Sequence, residues 1–405
     1  MKKSAAVSAM IIMLCMAGCN SDTQTSSVVP STSDSVSAAE STSASAEQSG
    51  SESSSADSGV HSDNAGNSAD NTTQQSSPET SVSIESEEST KSVTAESELD
   101  IPPQTTAEEV IDPVIISEPF TRDTRISDVI SDPVFGDYGR LIFPVDEGYY
   151  SGETLGDLRL TWYNNIDPDK TVEIASYMRS LAASGDVIFY DIYSESEKAA
   201  DPWKNDTGLF FFKGDSGEKF AVCSAGGGFA YVGAMQDSFP HALELSKRGY
   251  NAFAVIYRPG AQTACEDLSR VIVFIFDHAD ELEIDTDCYS LWGGSAGARM
   301  SAWVGSYDAE GFGERALPHA GAVIMQYTGF SEYSENDPPT YVCVGDSDGI
   351  ANWRTMKSRL DNMSALGIDT EFHVYKGLRH GFGIGTGTIA EGWIDDAVKF
   401  WEKQF

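Results

Sequence analysis

The stretch Cys288-Tyr-Ser-Leu-Trp-Gly-Gly-Ser-Ala-Gly-Ala-Arg-Met300 decides how this chain is read. An apolar, β-rich run enters Gly293-Gly294-Ser295-Ala296-Gly297 and leaves in a helical pattern, so G-x-S-x-G stands in a strand–turn–helix context. Such a turn holds Ser295 in a strained backbone at the top of a sheet, and its glycines relieve side-chain crowding. A serine hydroxyl there is a weak nucleophile until a base takes its proton.

Five histidines outside the N-terminal quarter are candidates for that base: His241, His278, His319, His373 and His380. His380 lies in Gly377-Leu-Arg-His-Gly-Phe382, just after the last apolar strand pattern, where a side chain reaches the sheet's C-terminal edge. His373 falls inside that strand and is expected packed or solvated. His241 and His278 are expected on helix surfaces. A third group should fix the imidazole tautomer and stabilise imidazolium. Tyr341-Val-Cys-Val-Gly-Asp-Ser-Asp-Gly-Ile350 offers two acids. Asp348, three residues past Gly345, clears the strand end to face His380, whereas Asp346 is expected to order the turn.

Acyl transfer also needs donors aimed at a developing oxyanion. Lys219-Phe-Ala-Val-Cys-Ser-Ala-Gly-Gly-Gly-Phe229 is a strand running into three glycines, which let backbone amides approach a ligand without an intervening Cβ. The expected donors are Gly226 or Gly227, together with Ala296.

Around these segments the chain alternates between two periods. Apolar strand patterns occupy Asp186–Tyr193, Gly208–Phe212, Lys219–Ser224, Ala252–Tyr257, Cys288–Trp292, Gly321–Tyr327, Thr340–Val344 and Thr370–Tyr375. Helical patterns fill Ser238–Arg248, Thr263–Leu282, Asn352–Leu366 and Thr388–Gln404. Continuous apolar strands between helices imply a parallel sheet covered on both faces and joined by right-handed crossovers. The expectation is one α/β domain over 121–405. Its stretch 121–185 is an N-terminal extension carrying a helix at Pro168–Ala183.

With these motifs in hand, the region from Asp186 to Phe405 resembles the α/β-hydrolase superfamily. It is most like the acetyl-esterase and acetylxylan-esterase branch related to prolyl oligopeptidase catalytic domains. The resemblance rests on Ala225-Gly-Gly-Gly-Phe229, Gly249-Tyr-Asn-Ala-Phe-Ala-Val-Ile-Tyr-Arg258, Gly293-Gly-Ser-Ala-Gly297, Gly345-Asp-Ser-Asp348 and His380-Gly-Phe382. It implies an eight-stranded, mostly parallel, doubly wound sheet with helices on both faces, and a triad in the order Ser295, Asp348, His380. Lipases of the hormone-sensitive type place a histidine before the three glycines; here Ala225 stands there. The resemblance also implies a serine esterase acting on acetylated carbohydrate or other small acyl esters, without a metal or organic cofactor. Few residues separate the strand patterns ending near Thr328 and resuming near Thr340, so no large lid is expected. Phe229, Tyr231, Tyr257, Trp292 and Tyr327 are candidates to line the cleft or to pack in the core. Two alternatives are a peptidase of the prolyl-oligopeptidase type, whose propeller repeats are not seen, and a binding module that keeps the fold without the activity.

The rest of the chain is of another kind. Met1-Lys2-Lys3, an apolar run from Ala5 to Met16 and Met16-Ala-Gly-Cys19 describe an export signal over 1–19, too short to span a bilayer. The ending resembles a bacterial lipobox, which would make Cys19 the lipid-modified anchor at the outer face of the membrane. An ordinary cleaved signal is the alternative. Residues 20–120 hold nineteen acids against Lys91 alone, and Phe120 is their one aromatic residue. A Ser/Thr/acid-rich segment of that kind buries too little apolar surface to offset chain entropy, so a disordered linker is expected. As a coil it would span roughly 55 Å.

The whole chain of 405 residues carries a formal charge of −37, and no basic stretch is suited to neutralising phosphates, which excludes a nucleic-acid binder. Beyond Cys15 and Cys19, four cysteines remain: Cys223, Cys265, Cys288 and Cys343. They lack metal-ligand spacing and sit mostly in apolar runs, so buried free thiols are favoured over the three pairings an exported protein allows.

Overall fold

The computed structural model describes residues 118–144, 148–161 and 165–405. The expected signal, Cys19 and the linker up to residue 117 lie outside the described residues. Among the described residues, no helix is long and apolar enough to cross a membrane.

Eight strands form one sheet: β1 (Phe189–Tyr190), β2 (Gly208–Phe212), β3 (Lys219–Ser224), β4 (Asn251–Ile256), β5 (Asp285–Gly294), β6 (Ala322–Gln326), β7 (Thr340–Gly345) and β8 (Thr370–Tyr375). Their spatial order is β1-β2-β4-β3-β5-β6-β7-β8. β1, β2 and β4 pair antiparallel; every other pairing is parallel. β2, β4, β6 and β7 are buried at every position, as strands covered on both faces must be. β8 is an edge, and it carries Glu371 and His373 rather than a continuous apolar run.

Among the described residues, the six α-helices of eight residues or more pack around the sheet: α1 (Pro168–Ala183), α2 (Phe239–Ser246), α3 (Ala261–Asp277), α4 (Ala296–Tyr307), α5 (Trp353–Ala365) and α6 (Trp393–Glu402). His241 of α2 meets Trp393 of α6 on one face. On the other face α3 touches α4, while Phe330 bridges Trp303 of α4 and Arg359 of α5. One apolar core runs from Ile126 to Trp401. The extension docks onto the same body. α1, capped by Asp167 with Pro168 in its first turn, lies against α2, and Tyr177 stacks on Phe212 with ring centroids 5.6 Å apart.

Most element bounds agree with the sequence patterns, and the departures have local causes. The strand expected at Asp186–Tyr193 shrinks to Phe189–Tyr190, because Asp186 closes the end of α1 and Asp191 pairs with Lys198. The helix expected over Thr263–Leu282 breaks at His278, whose backbone leaves the helical region. The last helix starts at Trp393 rather than Thr388, since Gly383, Gly385, Gly387 and Gly392 all take positive φ and form a loop. All four remaining cysteines are free thiols: Cys223, Cys265 and Cys343 are buried, and half-buried Cys288 donates to the Gln404 carbonyl at 3.2 Å.

Candidate active site

Ser295 follows β5 with φ 53° and ψ −113°, a conformation disfavoured for any residue with a Cβ. The neighbouring glycines show why the turn tolerates nothing larger. A Cβ on Gly293 would fall 2.3 Å from the Gly297 carbonyl carbon, and one on Gly297 would fall 2.1 Å from the Ser224 carbonyl oxygen. The second contact has a consequence for geometry, because it presses the first turn of α4 against the end of β3. The nucleophile turn and the glycine loop after β3 are therefore held together.

His380 arrives from the loop after β8, and its Nε2 lies 3.1 Å from the Ser295 Oγ. Its Nδ1 lies 2.8 Å from Asp348 Oδ2. A carboxylate only accepts, so this contact places the proton on Nδ1 and leaves Nε2 to receive the serine's. Asp348 is itself fixed by the Ile350 and Ala351 amides, both donating to Oδ1 at 2.8 Å. The pair is shielded from water, with side-chain exposures of 8% for His380 and 0% for Asp348. Asp346 orders the turn instead, accepting the Gly377 amide at 2.6 Å, a bond that lowers its pKa. His373 stays in β8, bonded to Glu371 at 2.7 Å and stacked on Tyr341.

The glycine loop corrects one expectation. The Gly226 amide is not aimed at a ligand; it donates to the buried Asp237 carboxylate at 3.0 Å. Gly227, with φ 133°, and Ala296, the first residue of α4, keep backbone amides with no acceptor among the described residues. Two groups support the glycine loop from behind. Asp237 holds the Gly226 amide, and the Tyr257 hydroxyl donates to the Ala225 carbonyl at 2.6 Å.

Asp237 is the residue that sequence reasoning missed. It ends a short helix, Ala234–Asp237, and its carboxylate also accepts the Tyr327 hydroxyl. Tyr327 in turn stands edge-on to His380, with ring centroids 4.9 Å apart. Burial and the adjacent Asp237 carboxylate push the Tyr327 phenol well above its ordinary pKa, so it stays a donor. The sequence signal was an acid inside an apolar segment, Val232-Gly-Ala-Met-Gln-Asp-Ser-Phe-Pro240, which reads equally well as an N-cap.

His241 is a second correction. It is only 2% exposed, and its Nε2 lies 2.6 Å from Gln326 Oε1. Gln326 passes the link on, donating to the Gly383 carbonyl at 2.8 Å, and Trp393 donates to that same carbonyl at 3.0 Å. These contacts brace the loop that carries His380. Burial holds the His241 imidazole neutral, its pKa lowered to about 4. Of the aromatic candidates, Trp292 is core: its indole donates to Ser290 Oγ at 2.7 Å and packs on Trp393. Phe229 stacks on Trp303, and Tyr327 flanks His380. Tyr231 and Tyr257 border a separate cavity described below. Among the described residues, no cluster of His, Cys, Asp or Glu could hold a metal ion.

The strand order, with a strained serine between β5 and α4 and an acid and a histidine after β7 and β8, is that of the α/β-hydrolase fold. A family model described as BD-FAE matches residues 213–358, which hold the glycine loop, the serine turn and Asp348. A comparison with curated proteins returned no match. Among solved structures, an acetyl ester-xyloside bifunctional hydrolase from Caldicellulosiruptor lactoaceticus is similar at 19% identity over 53% of this chain and 95% of its own, with a TM-score of 0.48. Thermogutta terrifontis esterase 2, bound to propionate, is similar at 20% identity over 49% of this chain and 89% of its own, with a TM-score of 0.42.

Proposed function

We propose that this protein is a serine esterase that removes small acyl groups, acetyl foremost, from carbohydrate or other soluble esters. The reading is carried by the hydrogen-bonded series Ser295–His380–Asp348, with contacts of 3.1 Å and 2.8 Å on a half-buried serine. His380 Nε2 takes the proton from Ser295 as Oγ attacks the ester carbonyl carbon. The Gly227 and Ala296 amides receive the negative charge that develops on the carbonyl oxygen. Collapse expels the alcohol, which leaves with the proton from His380, and the acyl group stays on Ser295. A water molecule then gives its proton to His380 and releases the acid, restoring the serine hydroxyl.

Only residues 327–339 join β6 to β7, and they contain no helix, so no lid rises there over the serine. A short connection there is compatible with a soluble or polymeric substrate. The N-terminal pattern supports export and lipid attachment through Cys19, with the linker giving the hydrolase reach from the membrane. Acetate release from a short-chain aryl ester and from acetylated xylan, compared between wild type and Ser295→Ala, tests the reading. Turnover by wild type and its loss in the variant are expected. No turnover of either substrate by wild type would sink it.

A further inference from the structure

A cavity of about 320 Å³ opens at the C-terminal edge of the sheet beside the glycine loop. Its far wall comes from the extension, through Arg140, Phe143 and Tyr150, and from Trp203 and Asp206 on the turn before β2. Its near wall is Ala230–Val232 of the glycine loop and Tyr257–Pro259 after β4. The extension, which lies outside the BD-FAE match, thus builds part of a chamber next to the candidate active site. β4 and β5 flank β3, so this edge lies two strand spacings from Ser295, about 10 Å.

The lining has a distinct chemistry. Trp203 is 65% exposed, an indole face left in water. Its turn is not loose. Asp201 accepts the Trp203 amide at 3.2 Å and also binds Arg258 at 2.7 Å, and Arg258 is locked in turn by buried Asp267. Beside the indole, Arg140 pairs with Asp206 at 2.5 Å and donates to the Asn205 carbonyl, using two of a guanidinium's five N–H donors. An exposed indole on a turn whose backbone is fixed, edged by an Arg–Asp pair with capacity to spare, suits a ring with an apolar face and a rim of hydroxyls. An alkyl chain would strip water from the ion pair without replacing its hydrogen bonds. An anion would meet Asp206.

We propose that this cavity is a sugar subsite, in which a pyranose ring of the substrate's alcohol part, beyond the acylated one, stacks on Trp203. The inference rests on the esterase reading and extends it from the acyl group to the carbohydrate chain.

The test compares wild type with Trp203→Ala, a surface change, on 4-nitrophenyl acetate and on acetylated xylo-oligosaccharides of increasing length. Wild-type kcat/KM should rise about tenfold from the monosaccharide to the longer substrates, the worth of covering part of an aromatic face. Trp203→Ala should lose that rise and keep its rate on 4-nitrophenyl acetate. A wild-type rate independent of chain length, or a rise that survives Trp203→Ala, overturns the subsite. So does a Trp203→Ala defect confined to methyl cinnamate, which would mean that the cavity takes an aromatic acyl group. Tryptophan fluorescence of Ser295→Ala titrated with unacetylated xylotetraose reads the subsite without turnover. Quenching that disappears in Ser295→Ala/Trp203→Ala supports it even if no ester is cleaved, an outcome that would remove the esterase reading alone. Absence of quenching overturns it.

Discussion

The Asp237 carboxylate accepts the Gly226 amide at 3.0 Å and the Tyr327 hydroxyl, joining the glycine loop to the wall of the His380 site. One buried acid thereby fixes both the loop that carries the Gly227 amide and the ring that stands against His380. Asp237→Asn keeps the shape but turns an NH2 toward one of the two donors. We expect kcat to fall at least about tenfold with KM little changed, because the donors act on charge that appears only in the transition state. Tyr327→Phe, which leaves the Gly226 bond intact, should cost less. Steady-state kinetics of both variants, with circular dichroism to confirm folding, decide the point; equal losses in both would contradict the ordering.

The two acids after β7 divide the work unequally. Asp348→Asn removes the acceptor that sets the His380 tautomer and should lower kcat by about 10³–10⁴-fold. Asp346→Asn weakens turn bonds from the Gly377 amide and the Ser347 hydroxyl and should stay within about threefold of wild type. The same ester assay on both variants tests the assignment, and the reverse ranking would refute it.

Stability near the glycine loop depends on a buried charge pair. Asp267 is fully buried and accepts from the Arg258 guanidinium, from the Arg258 amide at 2.6 Å and from the Tyr193 hydroxyl at 2.6 Å. Asp267→Ala strands those donors away from water and should cost about 3 kcal/mol or more. The expected readout is a Tm lower by roughly 6–12 °C. A drop of a degree or two would show that the site relaxes and admits water.

His241 gives the fold a predictable acid response. Its folded pKa is about 4, against 6.5 for the free imidazole, because burial disfavours the cation. Between those values the unfolded chain binds a proton that the folded chain refuses. Stability therefore falls as pH drops from about 6.5 through 4, by up to about 3 kcal/mol from this group. In His241→Gln, whose amide still donates toward Gln326, that component should vanish. Urea unfolding of both proteins at pH 7 and pH 4.5 measures the difference; parallel losses would rule out His241 as the source.

Much of this protein was legible in one dimension. The apolar runs and their helical spacers specify a covered parallel sheet, because period and burial are local properties of the chain. Ser295, Asp348 and His380 were readable for a related reason: each stands just past a strand end, and parallel strands deliver all such ends to one edge. What the spacing left open was decided by contacts between distant segments. Gly226 and Gly227 look alike in sequence, and only Asp237 folding back onto the loop takes one amide and leaves the other. His241 reads as a surface residue until α6 closes over it, and Trp292 reads equally as cleft or core until Trp393 packs on it. The extension showed no purpose in sequence, since the wall it builds exists only once residues near 140 meet the loops after β3 and β4. Secondary structure follows from neighbours along the chain, whereas amide availability, burial and cavities are set by which remote groups arrive and exclude water.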